Sequence, residues 1–299
     1  MSRLFGIAGV QMSVVPWDAK QTIEKMEDAS QNIRLNFPWV KLVMFHELVV
    51  PGFVHFVTAE NLNTWRQNAE SIPGPLTDRL CQIARKNRQW LVPGSMYEME
   101  EDRLYNTAIV ISPDGEIVAR YRKMFPWLPY EKGTSPGDQF CVFDVPEAGR
   151  FGLCICYDMW YPEVSRTLAW MGAEVILQST MTPTSDRELE LVLCRANAIF
   201  NQAYFISING IGTWGGGRSI MIDPDGRILQ EAGVNQTILT EIIDLDHVTR
   251  TREYGTLGLA QILKQLRDSG LSFPPYQDGN LAGGSFSKLG KLGFHQNLE

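Results

Sequence analysis

Two hydrophobic periods alternate along the chain. Runs such as "FGIAGVQMS", "KLVMFHE", "WLVPGSMY" and "FGLCICY" are continuously apolar or nearly so, the pattern of strands covered on both faces. Between them, apolar residues fall three and four apart. That spacing puts Ile23, Met26, Ala29 and Ile33 on one face of a helix, and Leu76, Leu80, Ile83 and Ala84 on one face of another. Strands alternating with helices predict an α/β fold. In "NTAIVISPDGEIVARYRK" and "RSIMIDPDGRILQ", Asp-Gly sits between β-branched and apolar runs, which predicts hairpins and hence a mixed sheet.

The same segment types recur in order. "FGIAGVQ" answers to "FGLCICY", "VMFHE" to "VILQST", "WLVPGSMY" to "AYFISING", and one Pro-Asp-Gly hairpin to the other, at offsets of 146, 132, 113 and 111 residues. Four such pairs in one order predict a duplicated unit. Two sheets packed face to face with helices outside give a four-layer αββα sandwich with internal pseudo-twofold duplication. No linker interrupts residues 1–270, which are read as one domain. Residues 271–299 are rich in Gly, Pro and Ser and lack periodicity. They predict an irregular C-terminal tail, either disordered or packed on a neighbouring subunit.

At 299 residues and 44% apolar composition the chain can bury a large core. A net charge of −7 argues against nucleic acid or an anionic membrane surface as partner. No apolar run approaches the roughly 20 residues that span a bilayer, and the N-terminal stretch has no signal cleavage pattern. A cytoplasmic protein acting on a small molecule is expected. The 5 cysteines are odd in number and irregularly spaced, which suits reduced thiols. "WGGGRS" lacks the spacing and the lysine of a phosphate-binding loop and is read as an ordinary loop.

Candidate chemistry concentrates at "FGLCICYDMWYPE". Cys154 and Cys156 share one face of a regular strand and cannot form an unstrained disulfide there. No histidine or second cysteine pair nearby completes a zinc set, so no metal or other cofactor is expected. Cys154, inside the apolar run, reads as core. Cys156 falls where the strand gives way to a helix begun by Pro162 and Glu163, carrying Val164, Leu168 and Met171 on one face and stopped by Gly172. A side chain on such a turn is held outward between rigid elements, and a helix amino end favours a thiolate. Position alone leaves an inert and a nucleophilic Cys156 both open. A working thiol needs a base and an oxyanion partner. His46 and His55 are the histidines of the first third, but Glu47 closes the apolar run "KLVMF", where a carboxylate has either a salt-bridge partner or a task. Lys123 closes the strand of the first hairpin.

Taken together, Glu47, Lys123 before an aromatic-proline loop, and Cys156 in "CICYDMWYPE" resemble the Glu-Lys-Cys constellation of the nitrilase superfamily of carbon-nitrogen hydrolases. The resemblance runs from about Phe5 to about Asp246 and includes "RANAIFNQAYFISING" and the second hairpin. It implies an αββα fold and association into homodimers or larger assemblies. It also implies that Cys156 attacks an amide or related carbon, Glu47 shuttles the proton, and Lys123 with the backbone N–H of Tyr157 stabilises the oxyanion. Glu131 in "WLPYEKG" matches the superfamily's second carboxylate as a supporting acid, with a salt bridge to neighbouring Lys132 as the alternative.

Cys156-Tyr157-Asp158 resembles the amidase branches, whereas nitrilases resemble Cys-Trp-Glu at this place. Branches that take carboxylate-bearing substrates often carry Arg three or four positions after the nucleophile. Here those positions hold Met159 and Trp160. An uncharged carboxamide is therefore expected, with Phe53, Trp127, Trp160, Thr180, Met181 and Thr182 lining its pocket. The aliphatic amidases and formamidases differ in the C-terminal segment and the nucleophile loop, so the chain is not assigned to those branches. Nitrile hydrolysis, N-carbamoyl hydrolysis, acyl transfer and a non-catalytic thiol sensor are the alternatives.

Overall fold

The computed structural model describes residues 2–50, 59–128, 130–279 and 284–289. In chain order the first half runs β1 (Leu4–Gln11), α1 (Ala19–Asn36), β2 (Val40–Phe45), α2 (Ala59–Gln67), α3 (Pro75–Asn87), β3 (Trp90–Val92), β4 (Ser95–Glu100), β5 (Arg103–Ile111) and β6 (Ile117–Arg122). The second half runs β7 (Cys141–Val145), β8 (Gly149–Ile155), α4 (Pro162–Trp170), β9 (Val175–Thr180), α5 (Arg187–Asn201), β10 (Tyr204–Asn209), a ribbon of β11 (Ile211–Gly212) and β12 (Gly215–Gly216), then β13 (Ile220–Ile222), β14 (Ile228–Glu231) and β15 (Thr237–Asp244). It closes with α6 (Leu245–Tyr254) and α7 (Ile262–Asp268).

One sheet has the order β15-β1-β2-β3-β5-β4, with β6 also paired to β5; the other has the order β14-β13-β10-β9-β8-β7. In each, three strands are parallel, β1-β2-β3 in one and β8-β9-β10 in the other, and a hairpin extends the third of them antiparallel. The strand pairs anticipated from the repeat occupy equivalent places, so the duplication is visible as topology. Even the outer antiparallel strands correspond, β15 beside β1 and β7 beside β8.

The layers follow from which face each side chain takes. Phe5, Ile7, Leu42, Met44 and Val110 of the first sheet meet Phe151, Leu153, Val175, Leu177 and Ile206 of the second in a buried central layer. Ala8, Val10, Val43 and Phe45 face the other way, onto Ile23, Met26 and Ile33 of α1 and Leu80 and Ile83 of α3. Cys154, Ile176 and Phe205 likewise pack on Val164 and Leu168 of α4 and Leu191, Cys194 and Ala198 of α5. Four layers result, helix, sheet, sheet, helix. Gly9 permits the close approach of the sheets, since a Cβ there would lie 2.1 Å from Ile208 Cδ1.

Local signals set the helix ends. The Asp18 carboxylate accepts from the Gln21 N–H at the start of α1, and α3 and α4 begin on Pro75 and Pro162. Past the end of α4, Gly172 sits at φ +99°, a conformation that costs glycine little. Among the described residues no helix is long and apolar enough to cross a membrane. Residues 271–277 are exposed, and the Tyr276 hydroxyl donates to Glu163 of α4 at 2.9 Å.

Candidate active site

Strand ends on one edge of the sandwich bring the candidate residues together. Glu47 follows β2, Lys123 follows β6, Cys156 follows β8, and Met181 and Thr182 follow β9. All line one recess of about 490 Å³, counting its open mouth, together with Leu48, Trp127, Glu131, Tyr157, Trp160, Pro183, Thr184, Asp186 and Glu190.

The strand does not simply run on through Cys156. Its φ of +45° breaks the alternation, and a 3-10 turn, Cys156–Trp160, begins there. Cys154 therefore packs toward α4 and α5, whereas Cys156 packs against the layer between the sheets. The expectation that the two thiols share a face fails for this reason. A left-handed residue between strand and helix is a strained elbow of the kind that projects a nucleophile. Two further bonds hold it: the Gln178 side chain donates to the Cys156 carbonyl at 2.9 Å, and the Asp158 carboxylate accepts from the Ile155 N–H at 2.9 Å.

Lys123 is 3% exposed and bonds to both carboxylates, Glu47 Oε1 at 2.9 Å and Glu131 Oε2 at 2.6 Å. Asn106 donates to the same pair, at 2.8 Å to Glu47 and 3.3 Å to Glu131, and the Trp127 N–H reaches Glu131 at 2.6 Å. No salt bridge from Lys132 to Glu131 is present among the described residues. Burial opposes the Glu131 charge, but Lys123, the Trp127 N–H and Asn106 together hold its carboxyl below the usual range. Burial pushes Glu47 up, only partly countered by Lys123, and the Glu131 charge pushes it further. Burial alone would lower Lys123, yet the two carboxylates hold its ammonium well above the ordinary value. One cation shared by two anions thus leaves Glu47 the more basic of the pair.

Burial and the neighbouring Glu47 push the Cys156 thiol well above its ordinary value, with Lys123 working against them. The resting thiol keeps its proton. The short turn that follows does not supply a ready thiolate, so a base is needed at the moment of attack. His46 is not that base. It is 1% exposed, its Nδ1 contacts the Glu47 carbonyl at 2.8 Å, and burial lowers its pKa to about 4.

Trp127, Trp160, Met181 and Thr182 lie on the wall of the recess as the sequence suggested. Thr180 does not. It is buried, 3.1 Å from the Thr182 hydroxyl, with its side chain in hydrogen-bond contact with Cys156. Phe53 and His55 lie outside the described residues. Four residues at this site were not picked out from the sequence as members of it: Asn106 and Gln178 inside strands, Asp158, read only as part of the Cys-Tyr-Asp signature, and Glu190 on α5. A polar residue in an otherwise buried strand was the available clue for the first two. The nearest thing to a metal-ligand set among the described residues, Asp223, Asp225 and His247, lines none of the recess. Asp223 there caps the second Pro-Asp-Gly turn by accepting from the Asp225 and Arg227 N–H groups, and Asp225 contacts His247 at 2.9 Å.

Comparison with known proteins agrees with this arrangement. The family model described as carbon-nitrogen hydrolase matches residues 6–253. Omega-amidase NIT2 of Mus musculus is 33% identical over 217 residues, 67% of this chain and 75% of the relative. A formamidase of Bacillus thuringiensis (strain Al Hakam) is 31% identical over 201 residues, 65% of this chain but 58% of the formamidase. Among solved structures, Nit3 of Saccharomyces cerevisiae, a member of branch 10 of the nitrilase superfamily, superposes with a TM-score of 0.76 at 25% identity, over 84% of this chain and 93% of Nit3. A variant of the amidase from Nesterenkonia sp. AN1 superposes with a TM-score of 0.70 at 25% identity, over 84% of this chain and 95% of that one. That structure shows covalent addition of the acetamide moiety of fluoroacetamide at its active-site cysteine. Since the matched region spans both halves of the sandwich and every strand end around the recess, the chain belongs to the carbon-nitrogen hydrolase family and is an amidase-type hydrolase.

Proposed function

We propose that the chain hydrolyses a small, uncharged carboxamide to the carboxylic acid and ammonia through a thioester on Cys156. The observation that carries this reading is the Lys123 ammonium bonded to both Glu47 and Glu131 in the recess that Cys156 also lines. The Cys156 sulfur attacks the carbonyl carbon while its proton passes to Glu47. The carbonyl oxygen becomes an oxyanion held by Lys123 Nζ and the Tyr157 N–H. Collapse of that adduct breaks the C–N bond, and Glu47 returns the proton to the departing ammonia. Water then attacks the thioester, Glu47 takes its proton, and the acid leaves with the thiol restored. Glu131 keeps Lys123 charged and in place. Each proton that Glu47 accepts is returned within the cycle.

Charge and shape support an uncharged acyl group. Trp127, Trp160, Met181 and Leu48 give apolar walls, and Lys123 is the cation among the described lining residues, already engaged by two carboxylates. Glu190 is neutralised by its own partner Arg187, and Asp186 adds negative charge at the recess, so a substrate carboxylate would be repelled. Relatives named for amidase activity support an amide over a nitrile or a carbamoyl compound. The test is ammonia release from a panel of neutral amides, carboxylate-bearing amides, nitriles and N-carbamoyl compounds, with intact-mass detection of the acyl adduct. A preference in kcat/KM for the charged amides, or an adduct that persists in Cys156→Ala, would overturn the reading. The proposal includes a homo-oligomer, supported by Leu189, Val192 and Phe200 of α5, which are exposed apolar side chains at helical spacing. A monomer mass by light scattering would refute that part.

A further inference from the structure

A second buried ion pair stands at the recess and has no part in the scheme above. Glu190 is 2% exposed, and each of its oxygens has one partner. Oε2 accepts from Arg187 Nη1 at 2.9 Å, and Oε1 accepts from the Thr182 hydroxyl at 2.9 Å. Arg187 is itself buried and anchored to the Arg218 carbonyl at 2.8 Å. The Thr182 backbone is fixed from two sides. Its N–H donates to Asn209 Oδ1 at 2.9 Å, and its carbonyl accepts from Asn209 Nδ2 at 3.0 Å and from the Gly216 N–H at 2.8 Å. The ribbon read from sequence as an ordinary glycine loop thus supports the recess wall.

A carboxylate can only accept, so the Thr182 proton must lie on Glu190. The Thr180 hydroxyl, 3.1 Å away, must then be the donor to Thr182. The remaining lone pair of Thr182 faces Cys156 Sγ at 3.9 Å, where the resting thiol S–H donates to it; once that proton has passed to Glu47 the lone pair is open to the recess. A hydroxyl that could in principle donate or accept is polarised into an acceptor.

We propose that Glu190 is a positioning residue that holds the Thr182 hydroxyl as a hydrogen-bond acceptor beside Cys156, where it receives an N–H of the substrate amide. The inference rests on the hydrolase reading above and refines it: with its carbonyl oxygen toward Lys123 and the Tyr157 N–H, a primary amide offers N–H donors that an ester of the same acid lacks. The Arg187–Glu190–Thr182 chain therefore selects amides against esters.

The test is the ratio of kcat/KM for the best neutral amide of the panel to that for the methyl ester of the same acid. Glu190→Gln is nearly isosteric, and its outcome is dictated by Arg187, which can only donate. The new side-chain oxygen turns to Arg187, its NH₂ turns to Thr182, and the Thr182 proton is driven out into the recess. The amide-to-ester ratio should fall about tenfold or more, the amide losing more than the ester. Thr182→Val should do the same, and Thr182→Ser, which keeps the hydroxyl, should retain the wild-type ratio. If Glu190→Gln does not fold, the Val and Ser pair decides by the same ratio. Equal losses on amide and ester overturn the assignment and leave Glu190 a structural support. Failure of wild-type protein to form any acyl adduct on Cys156 refutes instead the hydrolase reading beneath it.

Discussion

Asp158 joins the two halves of the proposed chemistry, and its replacement by Asn is the most informative perturbation. The side chain is fully buried and accepts three hydrogen bonds. One oxygen takes the Ile155 N–H at 2.9 Å and the Tyr121 hydroxyl at 2.7 Å, and the other takes the Phe125 N–H at 2.9 Å. Tyr121 and Phe125 stand two residues either side of Lys123, and Ile155 immediately precedes Cys156, so one carboxylate ties the lysine segment to the cysteine elbow. Burial pushes its pKa from 3.8 to about 6, against Lys123 and its own hydrogen bonds. Keeping the charge at pH 7 therefore costs roughly 3 kcal/mol. In Asp158→Asn that cost disappears. The amide oxygen can keep Ile155 and Tyr121, but its NH₂ then faces the Phe125 N–H, losing a charge-assisted bond worth about 1.5–3 kcal/mol. The two effects nearly cancel in stability, yet the loss falls entirely on the segment that follows Lys123. The expected result is an unfolding free energy from urea titration within about 2 kcal/mol of wild type and a kcat lower by about ten- to a hundredfold, the range for a displaced catalytic group. KM should change little. Wild-type kcat in a folded variant would refute the linkage.

The same group predicts a pH effect. A carboxyl raised from 3.8 to about 6 adds stability below pH 3.8 that is lost as pH rises through 6, whereas a histidine lowered from 6.5 to about 4 adds stability above pH 6.5 that is lost as pH falls toward 4. Asp158 and His46 thus oppose each other. On going from pH 7 to pH 4, Asp158→Asn should lose roughly 3 kcal/mol relative to wild type in urea titrations; parallel curves would contradict the assignment. Lys123→Met leaves Glu47 and Glu131 buried without their cation. It should cost about 3–5 kcal/mol by denaturant titration and at least about a hundredfold in kcat. Gly94 sits at φ +78°, where a Cβ would lie 1.8 Å from the His46 carbonyl oxygen. Gly94→Ala should destabilise by more than about 2 kcal/mol and lower kcat by shifting the adjoining Glu47, readable as a lower Tm and slower ammonia release.

The layers of this fold were legible from the chain because they rest on short-range pattern. Alternating periods distinguish strand from helix, Asp-Gly marks the hairpins, and the ordered repeat implies two like sheets, since each half alone would leave one sheet face bare. Glu47 and Cys156 stood out because each ends an apolar strand, where a polar side chain needs a purpose; Lys123, taken alone an ordinary lysine at a strand end, stood out only through the resemblance of the three together. What tertiary structure alone decided was how these strand ends interact. The left-handed turn at Cys156 separates it from Cys154, and burial beside Glu47 pushes its thiol pKa up. Lys123 is divided between two carboxylates, and Thr180 is bonded to Thr182 rather than lining the recess. Asn106, Asp158, Gln178 and Glu190 gain their importance only there, because hydrogen bonds at 2.6–3.3 Å depend on the meeting of segments far apart in the chain, a register that periodicity along the backbone does not encode.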